Sequence, residues 1–599
     1  MKSLSAIMPL SVGTLCLLMI CVLPLLSGCC GWDALSFRSQ SPEPSPWSFS
    51  EVNLVGDMAV PFGMFPIEVG NVALVTGLDG TGSDPVPGSQ RARLLDELQT
   101  RKVDKPNQLL ASDSTAMALI RCILPPGVQK GDRLDFELRV PSRSETTSLA
   151  GGWVMPVRLK EMRVLDGQFR DGHLMAFAKG AVLVDPGSSS ERGSSLAGRG
   201  RVLGGAVATK SRPLGLVLKP GFQNVKNSSE IATAINKRFH TFRNGVKVGM
   251  AKAKDDKFIE LQVHPEYKEN VQRYMQVVRA LAVRESSVEH AKRMSGLKER
   301  LLDPKTSTTA SLQLEAIGTE AGDVLCEGIK SDDAEVRFHA AEALAFIDRH
   351  EAAEPLAEAV KKEPAFRVFA LAALSTMDGF EAYGQLRDLL SAPSAETRYG
   401  AFRALWAMNP NDALVLGEDM EGKFSYHVLD TAGPKMIHVT RSHRPEVVVF
   451  GRDQHLATPL AVNAGNKIMV TSTAAGEISV SKFAVGMADQ KRTVSTEIDE
   501  VIRAIVELGG TYADVVQALQ EANTAGILPG RFEVDALPEA GRKYDRVASV
   551  PSGSGGGDAV AGGSEGEDSQ ENTPETAENE DSQSSVSGFF ARMGRGLGM

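Results

Sequence analysis

The sequence predicts an α+β protein in which mixed strand and helix regions are interrupted by an α-solenoid. Two observations lead to this fold class. Short β-branched or alternating apolar segments, separated by glycine turns, occupy both ends of the globular part of the chain. Between them, over residues 301–409, an alanine- and leucine-rich pattern recurs with a period near 30 residues. A fixed period of this size is typical of stacked helical repeats.

Residues 1–28 have the pattern of a secretory signal peptide. A basic start is followed by an apolar run over residues 7–26 and by small residues. The string Leu26-Ser27-Gly28-Cys29 matches a bacterial lipobox, which implies that Cys29 is lipidated. A transmembrane anchor is the alternative, but the short run contains Pro24 and ends at small residues. Cys30 at the next position points to sorting to the outer membrane, and residues 29–50 predict a Ser/Pro-rich tether.

Composition and motifs narrow the class of function. The 599 residues allow about four domains. A net charge of -10 without a basic cluster argues against nucleic-acid binding. His438 and His443 lack partners at zinc-ligand spacing, and no nucleophile elbow or HExxH string occurs. We therefore expect no enzyme, no cofactor and no catalytic or metal-binding residues. Cys122 and Cys326 fall in different predicted domains and are expected to be buried thiols, with a bridge between them as the less favoured alternative.

The first globular part has the pattern of strands joined by glycine turns. Residues 71–75 and 116–124 form apolar runs, and a helix capped by Ser89 is expected between them. Residues 134–140 alternate between apolar and polar side chains, which is typical of a half-buried strand. A second helix capped by Ser229 is expected further along.

Three loop strings separate these segments: Gly77-Leu78-Asp79-Gly80-Thr81-Gly82, Leu124-Pro125-Pro126-Gly127 with Lys130-Gly131-Asp132, and Ser148-Leu149-Ala150-Gly151-Gly152. The first string is not a phosphate loop, because Ser83-Asp84 follows it where a Lys-Ser/Thr pair is needed. In this order the strings resemble the flagellar basal-body P-ring protein family. The resemblance covers residues 52–279 and predicts an N-terminal P-ring-like region over residues 51–285.

The glycines of two strings are candidate subunit contacts. Small residues let backbones approach closely, either within one fold or between subunits. We therefore expect Gly80, Gly82, Gly151 and Gly152 at or near contacts between subunits. Tight turns within one subunit are an equally good interpretation.

The repeat pattern predicts a HEAT-like α-solenoid over residues 295–412, inserted as a separable unit. Each copy carries an arginine before its alanines and leucine, namely Arg337, Arg367 and Arg398, spaced 30 and 31 residues apart. We expect these arginines to form a ladder of hydrogen bonds between adjacent turns, with a row of ligand-binding arginines as the alternative. Solenoids of this kind bind proteins through an extended face, so the insert is a candidate platform for an unknown protein partner.

The family pattern returns over residues 420–540. Strands are expected at residues 445–451 and 478–480. A helix capped by Thr496, a double glycine, a helix capped by Thr511 and an Ala-Gly-Ile-Leu ending resemble the P-ring C-terminus. Residues 545–599 form a tail whose segment 551–587 has nine acidic and no basic residues, which is typical of disorder.

The resemblance implies a structural subunit of the flagellar P ring, a bushing around the rod in the periplasm. Its implied partners are further copies in a ring, the rod, outer-membrane ring proteins and the membrane through its lipid anchor. The alternative is an outer-membrane lipoprotein scaffold that reuses the P-ring fold in another envelope machine.

The lipobox generates the first testable prediction. Cys29→Ser removes the thiol that would carry the lipid, so the variant should move from the membrane to the soluble periplasmic fraction. Fractionation and immunoblotting measure this, and Cys30→Ser is the matched control. Membrane association unchanged in the Cys29 variant would contradict the prediction.

Overall fold

The computed structural model describes residues 52–165, 168–184, 198–483 and 488–546. The predicted signal peptide, Cys29, the tether and the tail beyond residue 546 lie outside these residues.

The N-terminal region combines a barrel with a smaller sheet. Its elements are, in chain order, α1 (Val55–Met58), β1 (Ala59–Phe62), β2 (Ile67–Thr76), α2 (Ser89–Thr100), α3 (Pro106–Leu110), β3 (Thr115–Leu124), β4 (Arg133–Arg139), β5 (Trp153–Leu165), β6 (Gln168–Ala181), β7 (Arg199–Ala208), β8 (Leu214–Leu218), α4 (Val225–Arg238), β9 (His240–Arg243), β10 (Val246–Gly249), β11 (Ala251–Ala253), β12 (Phe258–Leu261) and α5 (Val271–Ala280).

Six strands close into an antiparallel barrel in the order β2-β3-β4-β7-β6-β5. Leu134, Phe136 and Leu138 point inward from β4, as their alternation predicted, and are buried. The closure itself was not predicted, because the pairing of β2 with β5 joins segments far apart in sequence.

A four-stranded antiparallel sheet, in the order β1-β8-β12-β11, lies beside the barrel. Helices α4 and α5 bury Ile231, Ile235 and Val278 in the same hydrophobic core as Leu216 of β8. This layer leads directly into the repeats.

The repeats follow as α6 (Ser287–Leu301), α7 (Ser307–Ile317), α8 (Gly322–Gly328), α9 (Ala334–Ala345), α10 (Ala353–Lys362), α11 (Arg367–Leu374), α12 (Phe380–Leu389) and α13 (Ala395–Met408). The repeated alanines are buried at Ala310, Ala340, Ala370 and Ala401, so neighbouring helices pack closely. The predicted combination of α+β regions with a helical insert is confirmed.

The C-terminal region contains β13 (Gly417–Met420), β14 (Phe424–Leu429), β15 (Met436–Val439), β16 (Glu446–Phe450), β17 (Ala461–Ala464), β18 (Ile468–Ser472), β19 (Ile478–Lys482), β20 (Gln490–Val494), α14 (Ile498–Glu507), α15 (Tyr512–Thr524) and β21 (Arg531–Val534). A mixed sheet has the order β13-β14-β16-β15-β21, and an antiparallel sheet has the order β17-β18-β19-β20. Helices α14 and α15 share a core with both sheets.

Three of the four predicted helix caps are wrong. Helix α2 begins at Ser89 itself, and Gly88 holds the N-cap position without a side-chain bond. Glu497, not Thr496, precedes α14, and no side chain caps that helix. The Thr496 hydroxyl lies 3.1 Å from Nδ1 of His455 instead. A hydroxyl caps a helix only when its residue is the last one outside it.

The other two caps have different outcomes. Helix α4 begins at Val225, before the predicted Ser229, and Asn224 caps it by accepting a 2.7 Å bond from the Asn227 amide. Thr511 caps α15 in a reciprocal box with Asp514, as predicted.

Both cysteines among the described residues are free thiols. Cys122 is buried in the barrel, and burial raises its pKa to about 12. The predicted burial of Cys326 is wrong, since this residue is only half-buried on α8, beside Arg349 and Glu351.

The solenoid shares its core with both flanks. One continuous hydrophobic cluster contains Tyr274 of α5, Leu344 and Leu371 of the solenoid, and Phe450 of β16. The expectation that the insert is a separable unit is therefore wrong, since its removal would expose apolar surface on both neighbours.

Buried ion pairs join the solenoid to each flanking region. We call its boundary with the N-terminal region the first seam and its boundary with the C-terminal region the second seam. At the first seam, Nη2 and Nη1 of Arg273 lie 2.5 Å from carboxylate oxygens of Glu315 and Glu342, and the Tyr267 hydroxyl donates to Glu315 over 2.7 Å. At the second seam, Arg403 Nη1 lies 3.0 Å from a Glu446 oxygen.

The first seam generates a stability prediction. Glu315→Gln removes the main partner of the buried Arg273, so we expect the free energy of unfolding to fall by about 3 kcal/mol. Urea unfolding followed by circular dichroism measures this. Glu358→Gln, which breaks the exposed pair with Lys362, is the control and should cost less than about 1 kcal/mol. Equal effects of the two changes would contradict the prediction.

Candidate assembly surface

The two glycine loops lie side by side at one end of the barrel. The Thr147 amide donates to the Thr81 carbonyl over 3.0 Å, and the Thr81 hydroxyl donates to the Ser148 carbonyl over 2.9 Å. Hydroxyl oxygens of Ser83 and Thr146 are 2.9 Å apart. The structure thus brings together two strings that are 67 residues apart along the chain.

A third segment supports the first loop. The Leu78 amide donates to Ser114, the Gly82 amide to Asp113 and the Ser83 amide to Thr115, over 3.0, 2.7 and 3.1 Å. The backbone of this loop is therefore fixed by the residues that precede β3.

The four candidate glycines divide into two pairs. A Cβ on Gly82 would lie 2.1 Å from the Thr115 carbonyl oxygen, and one on Gly152 would lie 2.5 Å from Cγ1 of Val75. Close packing within one subunit therefore accounts for these two glycines. Gly80 and Gly151 are exposed, have φ of +68° and +71°, and would have nothing within 4 Å of an added Cβ atom. Of the four, only Gly80 and Gly151 remain free to meet another molecule.

Four exposed apolar side chains lie on β5, β6 and β7 of the barrel. We call Trp153, Met155, Phe177 and Val207 the barrel wall patch; Trp153 and Phe177 are 47% and 46% exposed. Phe177 of β6 lies directly opposite Val207 of β7. Exposed apolar groups of this kind often mark protein interaction surfaces. The patch was not predicted from the sequence, although outward-facing aromatic residues on β5 and β6 were the available signal.

Arg367 and Arg398 bond to the end of the preceding helix, and Arg337 bonds to the loop that follows α8. Arg337 Nη1 donates to the Ser331 carbonyl over 2.8 Å. Arg367 Nε donates to the Val360 carbonyl over 3.2 Å, and Arg398 Nε donates to the Leu390 carbonyl over 2.9 Å. Terminal carbonyls lack partners within their own helix, so the arginines join the two helices of each pair.

Burial keeps two of these arginines away from solvent ligands. Arg367 and Arg398 are nearly fully buried. Burial, together with the charge of Arg531, lowers the pKa of Arg398 to about 10. This environment favours a structural role over a row of ligand-binding side chains.

Two carboxylates bind the loop after β15, Asp135 from the barrel and Asp535 from the C-terminal region. Asp135 of β4 accepts hydrogen bonds from the amides of Gly204, at 2.6 Å, and His443. Asp535, directly after β21, accepts from the Arg441 amide over 2.6 Å. Burial raises the pKa of Asp135 to about 6, although these amide bonds oppose the rise.

His438 has a structural environment. It is buried, its ring centroid lies 3.8 Å from that of Tyr399, and its Nε2 accepts from the Ala536 amide over 3.0 Å. Burial lowers its pKa to about 3, so the ring is neutral at pH 7.

The described ranges contain no group of three or more His, Cys, Asp or Glu residues arranged to hold a metal ion. Within the same ranges, no helix is long and apolar enough to cross a membrane.

Comparisons with known proteins agree with this architecture. Residues 57–292 match the family model described as flagellar P-ring protein, and residues 294–375 match the model for HEAT repeats. The flagellar P-ring protein of Thermotoga maritima is 27% identical over 251 residues, which is 40% of this chain and 69% of that protein. The one from Nitrosospira multiformis is 26% identical over 240 residues, covering 38% and 59% of the two chains.

The chain thus joins a barrel-containing region similar to the P-ring family to an insert similar to HEAT repeats. The predicted resemblance to the flagellar P-ring family is confirmed for residues 57–292, and the predicted HEAT-like character of the insert is confirmed for residues 294–375. The resemblance supports a structural role in the flagellar P ring. Residues 420–540 lie outside both matched ranges, so their resemblance stays a prediction.

The loop contacts generate a prediction about Gly152. Gly152→Ala would place a methyl group against Val75 and Leu78, so overpacking should cost about 1–3 kcal/mol of stability. Gly221→Ala is the control, because nothing lies within 4 Å of its Cβ position. Thermal unfolding measures both variants. A melting temperature of the Gly152 variant equal to that of the control would rule out the packing role.

Proposed function

We propose that this protein is a structural subunit of the flagellar P ring, which assembles around the rod in the periplasm and acts as a bushing. The observation that carries the proposal is the family match over residues 57–292, a range that includes the whole closed barrel. Its partners are further copies of the chain, the rod and outer-membrane ring proteins. No catalytic chemistry is needed for this role.

A ring needs surfaces that repeat from one subunit to the next. Head-to-tail contacts close a circle only if each subunit presents two complementary surfaces. The exposed tips at Gly80 and Gly151 form one candidate, because small residues there let a neighbouring backbone approach closely. The barrel wall patch is the other candidate, because burial of its exposed aromatic side chains would favour association.

The lipid anchor belongs to the same proposal. Lipidation of Cys29 would tether the subunit to the outer membrane through the Ser/Pro-rich segment over residues 29–50.

The second candidate function is an outer-membrane lipoprotein scaffold in another envelope machine. The HEAT match over residues 294–375 favours it, because this range lies beyond the P-ring match. In that case the solenoid would be the protein-binding platform and the barrel would serve a different assembly.

Bulky substitutions at Gly80 and Gly151 test whether the loop tips form contacts in the ring. Gly80→Trp and Gly151→Trp should lower the melting temperature only moderately relative to Gly80→Asn and Gly151→Asn, because open space surrounds both positions although a bulky residue is strained at positive φ. Asn tolerates a positive φ and adds little volume, so the Asn variants are the matched controls. We expect the Trp variants to abolish rings in isolated basal bodies and motility in soft agar.

Two outcomes would contradict these proposals. Rings and swimming in both Trp variants would rule out the loop tips as contacts. Complete basal bodies in motile cells that lack the gene would rule out the P-ring function and favour the scaffold.

A further inference from the structure

The chain returns along the solenoid after its last strand. We call residues 536–546 the strap; it has no regular secondary structure. Its first half is apolar. Leu537 and Ala540 pack against Val368 and Ala372 of α11, and Pro538 Cγ lies 2.9 Å from where a Cβ on Gly400 would be.

The second half of the strap binds the solenoid through alternate side chains. Arg542 forms a two-point pair with Glu396, with distances of 2.9 and 2.6 Å. The ring centroid of Tyr544 lies 4.7 Å from that of Phe366. Arg546 forms a second two-point pair with Glu335, with distances of 2.6 and 2.9 Å.

The intervening side chains point away. Lys543 and Asp545 are exposed, whereas Arg542 and Tyr544 are partly buried. This alternation is that of an extended segment with one face on its binding surface.

The receiving residues recur with the repeat. Glu335 and Glu396 occupy the first turns of α9 and α13, each two positions before a ladder arginine. Phe366 lies directly before the middle ladder arginine and stacks on Phe338 at 4.3 Å. We call Glu335, Phe366 and Glu396 the acidic–aromatic face. A carboxylate, an aromatic ring and a carboxylate thus follow one another along three consecutive repeats.

The attachment of this half depends on side chains. Among the described residues, the backbone of 538–546 forms no hydrogen bond with the backbone of the solenoid. The side chains of Arg542 and Arg546 are 32% and 35% exposed, so water reaches both guanidinium groups, while Glu335 itself is buried. Gly541, with φ of +93° and open space around it, separates the apolar half from the charged half. The charged half can therefore leave while the apolar half stays.

We propose that the acidic–aromatic face is a peptide-binding site and that residues 542–546 are its intramolecular ligand. The site takes an extended protein segment with arginines at positions i and i+4 and an aromatic residue at i+2. A partner with this pattern displaces the strap. The proposal does not depend on ring assembly or on the P-ring function.

The chemistry of the face selects this ligand. Two-point pairing with a carboxylate favours arginine over lysine, because the planar guanidinium presents paired donors. Glu396 also accepts a 2.7 Å bond from Arg367, which holds the carboxylate in place. Burial acts to raise the pKa of Glu396, but the bonds from Arg542 and Arg367 outweigh it and lower the pKa. Glu396 therefore stays anionic at neutral pH.

The test uses the full chain and a fluorescent synthetic peptide with the sequence of residues 536–546. Wild-type protein should bind it weakly, because the tethered strap competes at high effective concentration. Arg542→Gln/Arg546→Gln releases the strap, and we expect the peptide to bind this variant at least about 10-fold more tightly. Fluorescence anisotropy measures the affinities, and added salt should weaken binding to the released variant.

Control substitutions in the protein and in the peptide show whether binding depends on the two glutamates and the two arginines. Lys543→Gln removes a strap charge that faces solvent, so this variant should bind like wild type. Adding Glu335→Gln and Glu396→Gln to the released variant, or replacing both arginines of the peptide with glutamine, should abolish binding. Equal weak binding to wild type and the released variant, or binding that survives loss of both glutamates, would overturn the proposal.

A folding defect would not end the test. If circular dichroism shows that the double variant is unfolded, Arg546→Gln alone uncovers Glu335 while Arg542 and the apolar half stay bound. Tighter binding of the peptide than to wild type would support the proposal, and unchanged binding would overturn it.

Discussion

The architecture depends on charged residues that are buried where the solenoid meets its flanks. A buried ion is costly unless a partner is held beside it. Arg273 of the N-terminal region finds its partners on α7 and α9, and Arg403 of α13 finds Glu446 on β16. Burial acts to raise the pKa of Glu446, but the charges of Arg403 and Arg444 outweigh it and lower the pKa to about 2. Each side of a seam therefore needs the other side to keep its charge satisfied.

The buried ion pairs fix the solenoid to the two flanking regions. A solenoid attached through one flexible linker could swing relative to the barrel, but paired charges and a continuous apolar core fix both of its ends. A ring closes only when the angle between its subunit surfaces is constant. The seams would contribute to that constancy by fixing the solenoid to α5 on one side and to β16 on the other.

Local pattern predicted the elements whose cause is local. The alternation in β4 follows from spacing within one strand, and the Thr511 cap follows from spacing within one helical turn. The repeat period follows from the spacing between neighbouring copies. The barrel closure, the seams and the strap depend on residues far apart: Arg403 and Glu446 are 43 positions apart, and Arg546 and Glu335 are 211 apart. Periodicity shows which face is buried but not what covers it. A charged residue such as Arg273 is therefore expected to be solvated until its partners are known.

The repeats have two candidate roles, packing of the helices through their arginines and peptide binding through their glutamates. The arginine of each copy bonds to the end of the preceding helix or to the loop after it, while the acidic residue two positions earlier in the first and third copies binds the strap. A carboxylate in the first turn of a helix is favoured by the exposed amide groups there, so this position tolerates an acid whether or not a ligand is bound. The inward arginine supports the stack, and the repeat period that spaces the arginines also spaces the glutamates. A face for extended peptides thus arises from the register of the fold, with Phe366 at the middle copy in place of a third acid.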